Sequence, residues 1–216
     1  MSQPDRRYRP QPAAKRPRAT HAGFERLNRG FDMIAAVLGL ALFGPLMLIC
    51  ALWIRLIDGG PVLYRQWRTG RDGWLFRIYK IRTMRLDAEQ PGSARFASSG
   101  DPRVLPGCGW MRRSHVDELP QLWNILIGQM SLVGPRPERP EMIEQLRDAI
   151  PRIEWRLTAR PGLTGLAQVS NGYTNDDDGA RRKQAYDLRY LRRRSMIENL
   201  RLVLQTIPRV WDQAAL

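Results

Sequence analysis

The hydrophobic pattern divides the chain into one long apolar segment near the N-terminus and a longer region of short, alternating apolar and polar stretches. The segment from Phe31 to Ile54 has 24 residues and a single charge, Asp32. As a straight helix it would extend about 36 Å, enough to cross the hydrocarbon core of a bilayer. We therefore predict a membrane-embedded helix within residues 23–58.

Two features distinguish this segment from an ordinary transmembrane anchor. Gly44 and Pro45 lie at its midpoint, where proline removes a backbone hydrogen bond and crowds the preceding turn. Basic residues also flank both ends, with eight Lys/Arg before residue 31 and eight between residues 55 and 85. Basic flanks favour the cytoplasmic side of a membrane. We therefore predict a re-entrant helix that bends at Gly44-Pro45 and returns to the same face, with a spanning anchor as the alternative.

After residue 59 the pattern predicts a small β-hairpin followed by helices. Alternation from residue 60, a turn with two glycines at residues 69–73 and the run WLFRIYKIRTM are typical of a hairpin. Residues 87–103 are predicted to be a loop. Helices are expected at residues 139–158 with an interruption at Pro151, at 180–194, and at 196–213 with a bend at Pro208. The predicted fold class is α+β and mostly helical, with residues 1–22 as a disordered basic tail and 59–216 as the main folded domain.

The last two predicted helices mix apolar residues with many arginines. This pattern is typical of amphipathic helices at a membrane interface. It fits equally well helices that pack on the protein's own core and expose their arginines to water. The apolar positions are Tyr186, Leu188, Tyr190, Leu191, Leu200, Leu202, Val203 and Ile207.

The charge balance points to a polyanionic partner. The chain of 216 residues has 35 basic and 21 acidic residues, a formal net charge of +14. Anionic lipid headgroups, phosphorylated substrates and nucleic acid would each fit this excess. A nucleic-acid-binding protein would not need the long apolar segment, and none of the usual binding motifs appears. We therefore expect no nucleic-acid partner.

Cysteine and histidine are scarce in the sequence. The two cysteines are Cys50 and Cys108, and the two histidines are His21 and His115. These residues are too few and too scattered for a typical zinc site. Because Cys50 lies within the apolar run, we expect no disulfide framework.

The stretch RRSHVDELPQLWNILIGQMSLVGPRP, residues 112–137, carries the candidate chemistry. Pro120 suits the first turn of a helix and Gly128 suits its end, so we predict a helix that begins near Asp117. Adjacent carboxylates at a helix start are favoured by the helix dipole, and a phosphate would be favoured there too. Nearby cations would keep both acids ionised, as nucleophiles or metal ligands rather than proton donors. A plain capping pair with surface ion pairs is the alternative, and this motif alone does not decide.

From Asp32 onward the chain resembles the bacterial sugar transferase family, the monotopic polyprenyl-phosphate phosphoglycosyl transferases. The matching segments are GPVLYRQWRTGRDGWLFRIYKIRTM, DPR, DELPQLWNILIGQMSLVGPRP, RPGLTGLAQV and YDLRYL, in the family's order. The shortness of the chain resembles the family's minimal members. The resemblance implies transfer of a sugar-1-phosphate from a UDP-sugar to undecaprenyl phosphate, with release of UMP and a requirement for Mg²⁺. It also implies a catalytic domain at the cytoplasmic face of the bacterial inner membrane, beside anionic lipids.

The resemblance assigns roles to the residues of the motif. Asp117 would be the nucleophile that forms an aspartyl-phosphosugar intermediate, and Glu118 would assist, with one or both acids near Mg²⁺. Arg112 and Arg136 match the family's phosphate-binding arginines. Arg136 also lies, with its neighbours Pro135 and Pro137, in the family's nucleotide-contacting loop.

Other positions match less specifically or depart from the family. Lys80 and Arg82 match the family's KxRxM motif, which contacts substrate phosphates or belongs to membrane-proximal structure. Gly44-Pro45 stands where the family usually has Ser-Pro, and His115 precedes the acid pair in place of a serine. The motif SNGY replaces the usual Gly-Arg after GLTGLAQV, which bears on the accepted sugar.

The sequence leaves several questions open. It does not specify the sugar, the glycan pathway or the oligomeric state, and a homodimer is compatible with it. A membrane-bound phosphohydrolase could use the same acids and arginines to direct water at a diphosphate. A scaffold protein in an envelope-polysaccharide complex would need no nucleophile at all.

Overall fold

The structure begins with one long helix, α1 (Ala22–Asp58), which contains Pro45. It is a computed structural model that describes residues 22–88, 101–171 and 177–209. Within those ranges α1 is the one helix long and apolar enough to cross a membrane. The predicted basic tail lies outside the described residues except for Ala22.

A single stripe of α1 packs against the rest of the protein. Asn28, Asp32 and Ala36 are buried in its N-terminal half, and Cys50 and Ile54 in its C-terminal half. The four-residue spacing within each half is that of one helix face. Between the two halves no residue from 41 to 45 is buried, and a Cβ at Gly44 would meet open space. The opposite face exposes large apolar side chains, including Ile34, Leu38, Leu42, Leu48, Ile49 and Leu52.

The helix assignment of α1 runs through Pro45 without a break. The re-entrant course of this helix therefore stays a prediction. Two separate core clusters meet the two halves of α1. Ala36 packs with Phe76, Ile78, Leu122 and Ile125, whereas Cys50 and Ile54 pack with Ile81, Leu105 and Met111. We call these halves of α1 the N-terminal arm (22–40) and the C-terminal arm (46–58).

The predicted β-hairpin is confirmed. Strands β1 (Leu63–Thr69) and β2 (Leu75–Ile81) are antiparallel, and Tyr64 lies opposite Lys80. The turn contains the 3₁₀ segment Arg71–Gly73, in which Asp72 and Gly73 have positive φ angles. Phe76 and Ile78 face the core. Because side chains alternate along a strand, Lys80 lies on that same face, further along β2.

Short elements complete the domain, and they include a second sheet that the sequence did not predict. Strands β3 (Ser131–Val133) and β4 (Gly162–Thr164) pair in parallel. Three residues are too few for an alternation signal to appear. The helices are α2 (Gly109–Arg113), α3 (Gln121–Leu126), α4 (Pro140–Ala149), α5 (Leu166–Asn171), α6 (Asp177–Arg193) and α7 (Met196–Thr206). Three further 3₁₀ segments cover Val116–Glu118, Ile153–Thr158 and Ile207–Arg209.

The helix predictions are mostly confirmed, with shifted boundaries. The interruption at Pro151 separates α4 from the 3₁₀ segment Ile153–Thr158, and a 3₁₀ turn contains Pro208. Helix α6 begins at Asp177, before the predicted residue 180. Residues 89–100 of the predicted loop, and 210–213 of the last predicted helix, lie outside the described residues.

The predicted interfacial surface divides into a core part and an exposed part. Tyr190, Leu191 and Leu202 are buried in one cluster, so for these residues the alternative of packing on the protein's own core is correct. They pack inward because α6 and α7 close over β3 and α5. Leu200 and Ile207 are exposed, together with Ile197 and Leu204. The outer face of α7 is therefore apolar, as an interfacial helix requires. Cys50 and Cys108 are free and buried thiols.

Candidate active site

Asp117 and Glu118 lie in the 3₁₀ turn Val116–Glu118, which ends three residues before α3 begins at Gln121. The prediction of a helix that begins near Asp117 was therefore wrong in this detail. Pro120 has no N–H and its ring crowds the preceding turn, so the ladder of an α-helix cannot run through it. Bonds of the i→i+3 kind form instead, from Glu118 N to His115 O at 3.0 Å and from Leu119 N to Val116 O at 3.2 Å. The nearby cations Lys80, Arg112 and Arg136, rather than a helix dipole, set the electrostatic environment of the two acids.

Glu118 is buried and anchored by two cations. Lys80 Nζ lies 2.7 Å from its Oε1, and Arg136 donates to Oε1 at 2.6 Å and to Oε2 at 3.2 Å. Burial opposes ionisation of this carboxyl, but Arg136 and Lys80 outweigh it and hold the pKa of Glu118 well below its usual range. Glu118 is thus a fixed anion with both oxygens engaged.

Asp117 has the opposite environment although it is the neighbouring residue. It is 6% exposed, and within the described ranges no hydrogen bond or ion pair holds its carboxylate. Burial raises the pKa of Asp117 to about 6; Lys80 lowers it and the negative charge of Glu118 raises it further. The prediction that cations keep both acids fully ionised therefore applies to Glu118 and only in part to Asp117. An ionised Asp117 is a poorly solvated carboxylate, which is a reactive one.

Arg112 supplies a cation without an acidic partner among the described residues. Its Nη1 donates to Thr83 Oγ1 at 3.3 Å, and its buried Nε has no hydrogen-bond partner in the described part of the chain. Its charge is near enough to lower the pKa of Asp117. The structure therefore brings Arg112 to the acid pair, as the sequence predicted.

Arg82 is engaged by the protein itself. It forms an ion pair with Asp58 at 2.5 Å and donates to the carbonyls of Pro61 at 2.5 Å and Met84 at 3.2 Å. These contacts tie the C-terminal end of α1 to the base of the hairpin. Its sequence-predicted role in substrate binding stays a prediction, whereas Lys80 reaches the acid pair directly.

Arg136 lies on the loop that leaves β3 and contains Pro135 and Pro137. The position of this loop depends on close packing of glycine residues against its backbone. A Cβ on Gly162 or Gly165 would collide with the backbone of Gly134. Strand β4, which begins at Gly162, and the residue that follows it can therefore approach the loop closely only with glycine at these two positions. The motif GLTG at residues 162–165 carried this signal in the sequence, but no role was predicted for it.

Sequence reasoning also missed a second buried charge cluster behind the Arg136 loop. Its members are Glu138, Arg156, Lys183 and Asp187, and Lys183 and Arg156 both pair with Glu138. The acids stand in the segments GPRPERP and YDLRYL, each beside several arginines. Nothing in these segments indicates which arginine would be buried.

A divalent cation fits the site if one carboxylate holds it together with substrate phosphates and water. Within the described residues no group of three or more His, Cys, Asp or Glu side chains could enclose a metal. Mg²⁺ does not require such a cage, because it commonly uses one or two carboxylates plus substrate phosphates and water. The oxygens of Glu118 are occupied by Lys80 and Arg136, whereas the carboxylate of Asp117 has no partner in the described ranges.

Comparison with known proteins places this site in a family. The bacterial sugar transferase profile matches residues 24–213. The chain is 43% identical over 181 residues to UDP-N-acetylgalactosamine-undecaprenyl-phosphate N-acetylgalactosaminephosphotransferase of Aeromonas hydrophila. The aligned region covers 84% of this chain and 43% of the relative. The chain is 44% identical over 183 residues to UDP-glucose:undecaprenyl-phosphate glucose-1-phosphate transferase of Caulobacter vibrioides, covering 84% and 68%. It is 36% identical over 186 residues to exopolysaccharide production protein PSS of Rhizobium leguminosarum bv. phaseoli, covering 84% and 93%. The chain thus spans less than half the length of the Aeromonas relative.

Proposed function

The chain belongs to the bacterial sugar transferase family, and on that premise we propose that it transfers a sugar-1-phosphate from a UDP-sugar to undecaprenyl phosphate. The observation that carries the proposal is the asymmetry of the acid pair. Glu118 is held by Lys80 and Arg136, whereas Asp117 has no partner within the described ranges. Glu118 therefore has a structural role in the site, and the carboxylate of Asp117 is available to react.

The reaction proceeds in two displacements at one phosphorus atom. An oxygen of Asp117 attacks the sugar-bearing phosphorus of the UDP-sugar, the bond to the bridging oxygen breaks, and UMP leaves with the electron pair. This step gives an aspartyl-phosphosugar. A phosphate oxygen of undecaprenyl phosphate then attacks the same phosphorus and displaces Asp117, which gives undecaprenyl-diphosphate-sugar. Covalent catalysis lets two bulky anions use the site in turn.

The surrounding cations make the first displacement feasible. Two anions, the carboxylate and the diphosphate, must approach each other, so fixed positive charge near the transferred group lowers the barrier. Arg112 and Arg136 are placed for this because both lower the pKa of Asp117 through space. Lys80 also lowers that pKa, so it favours the ionised nucleophile. Glu118 orients Lys80 and Arg136 through its ion pairs.

Mg²⁺ completes the proposal as a cofactor. Asp117 would hold it together with the diphosphate of the donor, and Glu118 would lie next to it with its oxygens on Lys80 and Arg136. When bound, Mg²⁺ neutralises charge on the phosphoryl oxygens.

We place the domain at the cytoplasmic face of the inner membrane, and the packing of α1 supports a monotopic arrangement there. Both ends of the helix make polar contacts with the same domain. Near the N-terminus, Arg29 donates to the carbonyls of Ile125 and Leu126 at 2.6 Å each. At the C-terminus, Asp58 pairs with Arg82. A straight span would carry one of these ends across the bilayer. Contacts of both ends with one domain, and the lack of buried residues from 41 to 45, therefore fit a re-entrant helix better.

The neighbours of the nucleophile fit this arrangement. Val116 packs with the cluster of the C-terminal arm, and Leu119 packs with the cluster of the N-terminal arm. Asp117 therefore lies between the regions where the two arms dock. In the proposed monotopic arrangement, this position would lie near the plane in which a membrane lipid presents its phosphate.

The donor sugar is not assigned. Two relatives of nearly equal identity, 43% and 44%, carry names with different donors, UDP-N-acetylgalactosamine and UDP-glucose. A panel of UDP-sugars is therefore the starting point of any assay. The glycan pathway likewise stays undefined.

The deciding experiment measures UMP release by the purified full chain with each UDP-sugar, with and without undecaprenyl phosphate and with and without Mg²⁺. Transfer predicts UMP in proportion to undecaprenyl-diphosphate-sugar, and at most one equivalent of UMP per enzyme without lipid. Steady production of free sugar phosphate without lipid would instead identify a phosphohydrolase. No UMP from any UDP-sugar would contradict the proposed function.

The topology has a separate test by cysteine labelling in oriented membranes. Gly23→Cys and Asp87→Cys place thiols before and after α1, and the native Cys50 and Cys108 are buried and give little background. A re-entrant helix predicts that both new thiols are labelled only from the cytoplasmic side. Labelling from opposite sides would show a spanning helix.

A further inference from the structure

The loop that presents Arg136 is held almost entirely through its carbonyl oxygens. Pro135 and Pro137 have no N–H and cannot take part in a regular ladder. Four consecutive carbonyls each accept a hydrogen bond from a different part of the protein. The bonds are Gly162 N to Pro135 O at 2.9 Å, Arg156 Nη2 to Arg136 O at 3.0 Å, Arg68 Nη1 to Pro137 O at 3.1 Å, and Thr69 N to Glu138 O at 2.9 Å.

Arg156 is the buried centre of this arrangement. It is 3% exposed. Besides the Arg136 carbonyl, its guanidinium contacts Asp187 Oδ2 on α6 at 2.7 Å and Glu138 Oε1 at 3.4 Å. One side chain thus joins the backbone at residue 136, the side chain two residues later and a distant helix. A guanidinium suits this role because its five N–H donors lie in a rigid planar fork that can serve separated acceptors.

Glu138 closes the cluster from the loop side. Lys183 on α6 pairs with its carboxylate, and its backbone carbonyl is tied to β1 through Thr69. Burial opposes ionisation of this carboxyl, but Lys183 and Arg156 outweigh it and hold the pKa of Glu138 far below its usual range. Glu138 therefore keeps its negative charge at neutral pH, whereas burial raises the pKa of Asp187 despite the ion pair with Arg156.

We propose that Arg156, fixed by Glu138 and Asp187, is a positioning residue for Arg136. It holds the Arg136 backbone so that the guanidinium of Arg136 faces Glu118 and the phosphate that reacts with Asp117. The inference rests on the proposed function for its kinetic readout. Arg156 itself is behind the loop and touches no reacting group. A displacement of about 1 Å at a catalytic group can reduce the rate by about 100-fold, so such support has kinetic weight.

The test is a double-mutant cycle between Arg156→Lys and Arg136→Ala in the full chain. Lysine keeps the positive charge but cannot reach all three acceptors. We expect Arg156→Lys to reduce kcat/KM for the UDP-sugar by about 10- to 100-fold, and we expect it to have little further effect when Arg136 is already alanine. The matched control is Arg147→Lys. Arg147 lies on α4 and pairs with Glu154 in the same region at 2.8 Å, so we expect a change below about twofold.

Hydrogen–deuterium exchange gives a readout independent of activity. The amides of Thr69 and Gly162 donate to the Glu138 and Pro135 carbonyls, so they should exchange faster in Arg156→Lys and in a second variant, Asp187→Asn. Amides of α1 should keep their wild-type rates. Kinetic losses that multiply in the double variant, or wild-type exchange at both loop partners, would overturn the proposal. If the wild type releases no UMP, the proposed function fails, and exchange alone then decides whether Arg156 holds the loop.

Discussion

Two buried charge clusters lie on either side of the Arg136 loop, and they differ in how completely their charges are paired. Behind the loop, Glu138 meets Lys183 and Arg156, and Asp187 meets Arg156. In front of it, Glu118 meets Lys80 and Arg136, but Asp117 and Arg112 have no ionic partner within the described ranges. The residue types are the same in both places.

The difference separates support from chemistry. Buried charges are costly unless they are paired, so a complete set of pairs is what a structural cluster needs. A buried carboxylate and a nearby guanidinium without partners are a cost that only a ligand can offset. Buried acids with a raised pKa are concentrated at functional sites. Burial raises the pKa of Asp187 as well, but that acid pairs with Arg156, so the missing ionic partner is what distinguishes Asp117. The contrast therefore supports our proposal that Asp117 reacts with the substrate and that Arg156 supports the loop.

The largest expected effect is on turnover. Asp117→Asn keeps the shape of the side chain but removes the nucleophile, so we expect transfer to fall by at least about 10⁴-fold. The measurement is undecaprenyl-diphosphate-sugar formed per enzyme. Glu118→Gln is the comparison, and we expect it to retain more activity because the attacking group is still present. Equal activity of Asp117→Asn and wild type would remove the distinction between the clusters.

The second expected effect is on stability and concerns the paired cluster. Glu138→Gln leaves Lys183 and Arg156 without their shared anion, so we expect the free energy of unfolding to drop by about 2 to 4 kcal/mol at neutral pH. Because the pKa of Glu138 is depressed in the fold, the loss should shrink as the pH falls below about 4. Chemical denaturation measures it. Glu144→Gln, at an exposed position of α4, is the control and should change stability little.

The unpaired acid should behave in the opposite way. Burial raises the pKa of Asp117 from its usual 3.8 to about 6, so the folded state prefers the protonated form. Stability is therefore favoured below pH 4 and lost as the pH rises through 6. Asp117→Asn removes this penalty, and we expect it to stabilise the protein by about 1 to 3 kcal/mol above pH 6. The gain should vanish near pH 4, and a destabilised Asn variant at pH 8 would contradict the account.

The smallest effect is a shift in the pH profile. Lys80 lowers the pKa of Asp117, so Lys80→Met should raise it. In the pH profile of kcat/KM, the acid limb is the fall in rate at low pH, which we expect near pH 6 in the wild type. We expect this limb to move upward by about one pH unit in the variant. The profile is measured with saturating lipid acceptor. Lys80→Arg keeps the charge and should keep the limb near its wild-type position. A downward shift in Lys80→Met would show that another group controls the limb.

Much of the site could be predicted from the sequence because its residues stand in long, specific motifs. Asp117, Glu118, Arg112 and Arg136 were all assigned from the stretch DELPQLWNILIGQMSLVGPRP and its flank, and the structure brings them together with Lys80. The hairpin and the apolar helix were visible from alternation and from length. The helix start at Asp117 was misplaced because a proline can stand at a first turn or interrupt one.

The unpredicted features depend on long-range contacts. Arg156 and Asp187 are 31 residues apart and look like ordinary surface charges in a chain with 35 basic residues. Burial alone distinguishes them, and burial is decided by tertiary packing. The same holds for Tyr190 and Leu202, whose amphipathic helices face the core because β3 and α5 lie beneath them. Parallel pairing of two three-residue strands likewise has no local signature.

The central claim is that Asp117 forms a covalent bond with the phosphosugar, and intact-mass spectrometry tests it most directly. The full chain is mixed with an accepted UDP-sugar and Mg²⁺ without lipid, quenched within seconds and weighed. We predict a mass gain of one sugar phosphate on the wild type, located at Asp117 by fragmentation, absent from Asp117→Asn and removed by undecaprenyl phosphate. An unmodified wild type that still transfers sugar phosphate to lipid under these conditions would contradict the account.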